Sequence, residues 1–195
     1  NPATSNAITM VVQTPLPVSV SIAASANPVC AGNSVTYTAT PTNGGASPSY
    51  QWKVNGINSG TNSNTFTYYP SNGDQITCVI TSSLPCASGQ ATSNTITMTV
   101  RARPIPTFTT GPTTVCAGTP GNVYTTQAGM TNYTWIVSAG GTITSGGGTG
   151  DNTVTVTWNA AGAQTVSVNY SSSAGCLATS ASNYSVTVNP VSVPT

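Results

Sequence analysis

The sequence predicts an all-β chain built of two tandem antiparallel β-sandwich domains arranged end to end. Three observations carry that expectation. Apolar and polar residues alternate over short runs, the period of a half-buried strand. The dipeptides Asn43-Gly44, Asn55-Gly56 and Asn72-Gly73 sit between runs and suit tight hairpin turns. The pattern also repeats: Ser5–Val12 reads SNAITMVV, Ser93–Val100 reads SNTITMTV and Ser182–Val188 reads SNYSVTV, with Val12, Val100 and Val188 spaced 88 apart. No stretch shows a helical period.

Each of these closing runs alternates strictly, as in Ile96, Met98 and Val100, and each leads into a proline-bearing connector, QTPLPV, RARPIP or NPVSVP. Proline restricts φ and stiffens a linker. The predicted organisation is therefore a closing strand of a preceding repeat at 1–13, a sandwich at 14–102, a second at 103–190, and a connector to a following repeat at 191–195. Further landmarks recur between the ends. VCAG stands at Val29–Gly32 and at Val115–Gly118, and YQWKV at Tyr50–Val54 matches YTWIV at Tyr133–Val137. The run Ile76, Cys78, Ile80 matches Val166, Val168, Tyr170. Alternation places Val35, Tyr37, Ala39, Trp52, Phe66, Ile76, Cys78, Ile80, Ile96 and Met98 inside the first domain. It places Trp135, Val154, Val156, Trp158, Val166, Val168 and Val186 inside the second. The alternate positions are mostly Thr and Ser, and Thr suits a strand because it is β-branched and still offers a hydroxyl to water.

Charge is scarce. Lys53, Arg101, Arg103, Asp74 and Asp151 are all of it, 3 % of the chain, and there is no His and no Glu. General acid–base chemistry needs a titratable group at the reacting atom, and metal sites need imidazole, thiolate or clustered carboxylates. One carboxylate per domain predicts no enzyme, no catalytic residues, no cofactor and no metal. No basic stripe is present for nucleic acid, and no apolar run is long enough for a membrane span.

Several single features have a bland reading beside a sharper one. Asp74 fits a loop cap better than a calcium ligand. Ser145–Asn152, SGGGTGDN, is followed by the alternating Thr153–Trp158, so the helix that a phosphate cradle needs is not expected. Lys53 follows the inward Trp52 and so points outward, away from any buried acid that could make an isopeptide bond. Tyr68, Tyr69 and Tyr170 could offer rings to a sugar, but Tyr68 and Tyr69 are adjacent and face opposite ways. The N-x-S/T matches at Asn132, Asn169 and Asn183 are the chance product of a chain rich in Asn, Ser and Thr.

Two bacterial families share these motifs. Residues 17–101 resemble the immunoglobulin-like repeats of giant surface adhesins of Bacteroidetes-type bacteria, through VCAG with VTYTA, SYQWKVNG, NGDQITC and SNTITMTV. Residues 105–189 resemble the PKD-like repeats that accompany them, through VCAG, YTWIV, NTVTVTWNAAGAQTVSV and SVTV. The resemblance implies large secreted proteins that serve as stalks, adhesins or filaments, often exported by the type IX route, and it implies no catalytic residue.

Five cysteines without a CxxC, in so polar a chain, indicate an oxidising compartment, outside the cell or in the periplasm, and the expected location is extracellular or at the cell surface. By the repeat alignment Cys30 is equivalent to Cys116 and Cys86 to Cys176. Equivalent pairs are expected to bond within each copy, giving Cys30–Cys86 and Cys116–Cys176 and leaving Cys78 as a free buried thiol. The functional expectation is a structural repeat of a secreted adhesin or extracellular filament, a rigid disulfide-stapled stalk with neighbouring repeats or subunits as head-to-tail partners. The alternative is a carbohydrate-binding or spacer module of a secreted hydrolase, with a surface polysaccharide as partner.

Overall fold

The structure, a computed structural model, describes residues 2–12, 14–87 and 89–191. The expected strand at Ser5–Val12 is not formed. Residues 2–12 adopt no regular structure, and Ile8, Met10 and Val12 stay exposed. A single strand has no partner for its backbone groups and is unstable in water, so alternation alone does not make one. The expected strand's Asn1, its neighbour Gln13, and 192–195 of the expected connector lie outside the described residues.

From residue 19 onward the described chain is strand and turn with no helix, divided into two units, Asn1–Val100 and Arg101–Thr195. The first unit contributes β1 (Ser19–Ala24), β2 (Val29–Cys30), β3 (Val35–Thr42), β4 (Ser49–Val54), β5 (Ile57–Ser59), β6 (Thr65–Tyr68), β7 (Gln75–Thr81), β8 (Gln90–Thr92) and β9 (Ile96–Thr97), and its last residue opens β10 (Val100–Arg101). One sheet runs β1-β3-β6, the other β5-β4-β7 with β8 and β9 along the far edge of β7, and β10 pairs with β2. The second unit contributes β11 (Phe108–Thr110), β12 (Thr114–Cys116), β13 (Asn122–Thr126), β14 (Thr131–Val137), β15 (Gly141–Gly146), β16 (Thr153–Trp158), β17 (Gly162–Ser171) and β18 (Ser182–Asn189). Its sheets are β11-β13-β16-β15 and β12-β18-β17-β14, antiparallel except for the parallel β12–β18 pair.

Strand parity decides each core, because successive side chains point to opposite faces. In β3, Val35, Tyr37 and Ala39 are buried, and they meet Trp52 of β4, Phe66 of β6 and Ile76, Cys78 and Ile80 of β7. In the second unit Trp135 of β14, Val154, Val156 and Trp158 of β16, and Val166 and Val168 of β17 do the same. Of the residues expected inside, Ile96 is only half-buried. The register sets the key pairs: Trp52 faces Cys78 across β4–β7, and Trp135 faces Val168 across β14–β17. Both indoles satisfy their N–H on a loop carbonyl, Trp52 on Ser63 at 2.9 Å and Trp135 on Asp151 at 2.9 Å. A buried N–H without a partner would cost about 1–3 kcal/mol, so these bonds help select the rotamers.

The sequence reading missed three buried tyrosines. Tyr124, Tyr133 and Tyr170 lie in the second core, where the Tyr124 hydroxyl accepts from the Trp158 indole at 2.9 Å. Tyr133 donates to the Gln127 carbonyl at 2.7 Å, and Tyr170 hydrogen-bonds the Gln127 side chain. A phenol can enter a core when its hydroxyl finds a partner, so Tyr170 is not the loop-side ring that a sugar could stack on.

Candidate functional site: cysteines at the poles of each sandwich

Each sandwich has two poles, the ends toward which its strands run. In the first unit the chain comes in at the near pole, where the Leu16 N–H donates to the Cys86 carbonyl at 2.8 Å. It leaves at the far pole. There the Val29 N–H donates to Thr99 at 3.0 Å, and the Val100 N–H to the Asn72 side chain at 2.9 Å. In the second unit the near pole is held by arginines: Arg101 donates to the Ala174 carbonyl at 3.1 Å and Arg103 to that of Leu177 at 2.7 Å. The far pole holds Cys116, opposite Asn189 in the β12–β18 register.

This geometry overturns the expected bridges. Cys86 belongs to the near pole of the first unit, past the Thr81 end of β7, whereas Cys30 belongs to the far pole, on β2 beside β10. The seven residues of β7 separate the two poles by about 20 Å at ~3.3 Å per residue. In the second unit Cys176 lies past the Ser171 end of β17, its carbonyl accepting from Ser172 at 2.9 Å, while Cys116 lies at the Gly162 end. The ten residues of β17 separate those poles by about 30 Å. A disulfide needs Cα atoms within about 7 Å. Accordingly Cys86 and Cys116 are free, exposed thiols, while Cys30 and Cys176 are disulfide-bonded. An odd number of crossings, β3, β4 and β7 in one unit and β13, β14, β15, β16 and β17 in the other, carries the chain from one pole to its opposite.

Cys78 is a free thiol with no exposed surface. Burial pushes it up to about 11, against a smaller opposing effect of the Gln51 backbone. Its thiol therefore stays protonated at neutral pH, and a protonated thiol is neither nucleophile nor metal ligand.

Asp74 is the loop cap of the 71–75 turn. Its carboxylate accepts from the Ser71 N–H at 2.8 Å, the Asn55 amide at 2.9 Å and the Tyr68 hydroxyl at 3.2 Å. Burial, the largest influence, pushes the carboxyl up, but the bonds from Asn55, Ser71 and Tyr68 together outweigh it and hold the group below its ordinary value. Asp151 closes the glycine-rich loop on itself, accepting from the Gly148 N–H at 2.8 Å and donating its own N–H to the Gly148 carbonyl at 3.0 Å. No cluster of three His, Cys, Asp or Glu occurs among the described residues.

Most aromatic rings are buried, and Tyr50, Tyr68, Phe108 and Tyr184 are half-buried. Of the Trp, Tyr and Phe side chains, all among the described residues, Tyr69 alone is exposed, at 68 %. Lys53 is half-buried on β4, on the face opposite Trp52.

Residues 102–186 match the family of the PKD-like domain. No curated protein matches the chain. Similar solved structures include fibronectin(III)-like modules of Clostridium thermocellum CbhA, at 13 % identity and a TM-score of 0.42, covering 87 % of this chain and 94 % of that one. The D00-D0 domain of intimin follows, at 16 % identity and a TM-score of 0.40, covering 87 % and 99 %. Domains 1-6 of the surface layer protein SbsC are similar at 14 % identity and a TM-score of 0.35; the match covers 89 % of this chain but 28 % of that structure's length.

Proposed function

We propose that this chain is a structural repeat segment of a secreted cell-surface adhesin or extracellular filament, a non-catalytic stalk that bears tension. One observation carries the reading: each sandwich takes the chain in at one pole and releases it at the other. Tension applied through the chain then runs along the strands. In the second unit β12 and β18 are parallel, bonded through Thr187 N–H to Thr113 at 2.8 Å and Ala117 N–H to Asn189 at 2.9 Å. Pulling the two strands from opposite ends shears these bonds together instead of opening them one by one. The disulfide-bonded Cys30 and Cys176 support an oxidising, extracellular location. The single exposed ring at Tyr69 gives little support to a sugar-binding platform, which needs several.

Stretching single molecules from their two ends under reducing conditions tests the proposal. Two discrete unfolding events are expected, each lengthening the chain by roughly 25 nm, since a sandwich of ~80 residues extends at ~3.3–3.6 Å per residue. Gradual low-force extension of both sandwiches would reject the load-bearing role. Specific capture on a polysaccharide array, lost in Tyr69→Ala, would favour the binding module instead.

A further inference from the structure

The repeat architecture places four cysteines at the poles, where no bridge can form within a unit. Cys86 and Cys176 are repeat equivalents at near poles, and Cys30 and Cys116 are repeat equivalents at far poles. Within a unit the near and far cysteines are a strand length apart and cannot meet. Yet the far-pole Cys30 and the near-pole Cys176 are disulfide-bonded, while their own-unit counterparts Cys86 and Cys116 are free and exposed. The position is therefore competent for bonding at both kinds of pole. Burial does not protect the two remaining thiols as it does Cys78.

We propose that Cys86 and Cys116 are linking sites for further copies of the same repeat, a far-pole cysteine of one copy bonding a near-pole cysteine of the next. The link would be heterologous, far pole to near pole, so it propagates along an axis and does not close on itself after one step. Each link joins two thiols into one S–S bond with loss of two protons and two electrons. A small-molecule disulfide such as oxidised glutathione accepts them and is released as two thiols by exchange through a mixed disulfide. The inference rests on the stalk reading and adds covalent continuity to it. A stalk with such links would carry load through sulfur as well as through the polypeptide.

The test uses the whole chain and two variants, Cys86→Ser and Cys116→Ser, both substitutions at exposed positions. Besides the buried Cys78, Cys86→Ser retains only the exposed thiol of Cys116, and Cys116→Ser only that of Cys86. Incubated with oxidised glutathione, the equimolar mixture is expected to form the Cys116–Cys86 heterodimer about tenfold faster than either variant forms its homodimer, the ratio given by ~1.4 kcal/mol of preferred pairing. The unsubstituted chain is expected to form a ladder of multimers that dithiothreitol collapses, with Cys86–Cys116 as the linked peptide in mass spectra. Homodimers formed as fast as the heterodimer would mean random collision of exposed thiols and overturn the proposal. So would the absence of any cross-link, or a Cys30–Cys86 peptide from monomer. The stretching experiment is run in reductant and does not depend on these links, so either result can fail without the other.

Discussion

Removing the Asp74 carboxylate is expected to destabilise the first sandwich by about 2–3 kcal/mol. Asp74 joins three parts of the chain, since its three donors come from the Asn55 turn, the end of β6 and the Ser71 loop. A hydrogen bond to a charged acceptor contributes about 1.5–3 kcal/mol, but Asn55 and Ser71 are exposed and water partly replaces the lost acceptor, so about 1 kcal/mol each is the appropriate scale. For a domain of this size 1 kcal/mol moves Tm by roughly 4–8 °C, so Asp74→Ala is expected to lower it by roughly 10–20 °C. Hydrogen exchange at β3 and β7 amides reads the first sandwich separately from the second. The sign with pH follows from the depressed carboxyl. The folded value lies below the unfolded one of about 3.9, so the stabilisation is complete above the latter and disappears as pH falls through the folded value. The difference between the unsubstituted chain and Asp74→Ala is therefore expected to be constant from pH 5 to 8 and to shrink at more acidic pH. A difference below about 1 kcal/mol at pH 7, or one that widens on acidification, would refute the assignment of Asp74 as a charged cap.

Two substitutions probe the cores. The Tyr37 hydroxyl is buried without a hydrogen-bond partner among the described residues, so Tyr37→Phe is expected to raise stability by about 1 kcal/mol in urea titration; a loss would show that the hydroxyl has a partner in solution. At Gly141 an added Cβ would lie 2.6 Å from the Val137 side chain and 2.7 Å from the Trp158 ring. Gly141→Ala is accordingly expected to cost about 1–3 kcal/mol through overpacking. Gly150→Ala, which meets nothing within 4 Å, is its neutral control, and equal losses at the two sites would discount steric crowding.

Alternation was enough to sort most residues by face. Parity is a local property, so Val35, Tyr37 and Ala39, or Val154, Val156 and Trp158, could be assigned to a core before any partner strand was known. Scarcity of charge was just as legible, because a residue type missing from the chain is missing from every site. Tyr124 and Tyr170 were not legible as core, since their burial depends on the Trp158 indole and the Gln127 side chain reaching their hydroxyls. Ser5–Val12 shows the opposite failure: the right period forms no strand when no neighbour supplies backbone partners. The cysteines mark the boundary most sharply. The 88-residue repeat in the sequence determined which cysteines are equivalent. Only the tertiary structure decided which can bond, because pole is set by the direction and number of strand crossings between two residues. An odd number of crossings places Cys30 far from Cys86 and Cys116 far from Cys176, and a bond of fixed short reach cannot span the length of a strand.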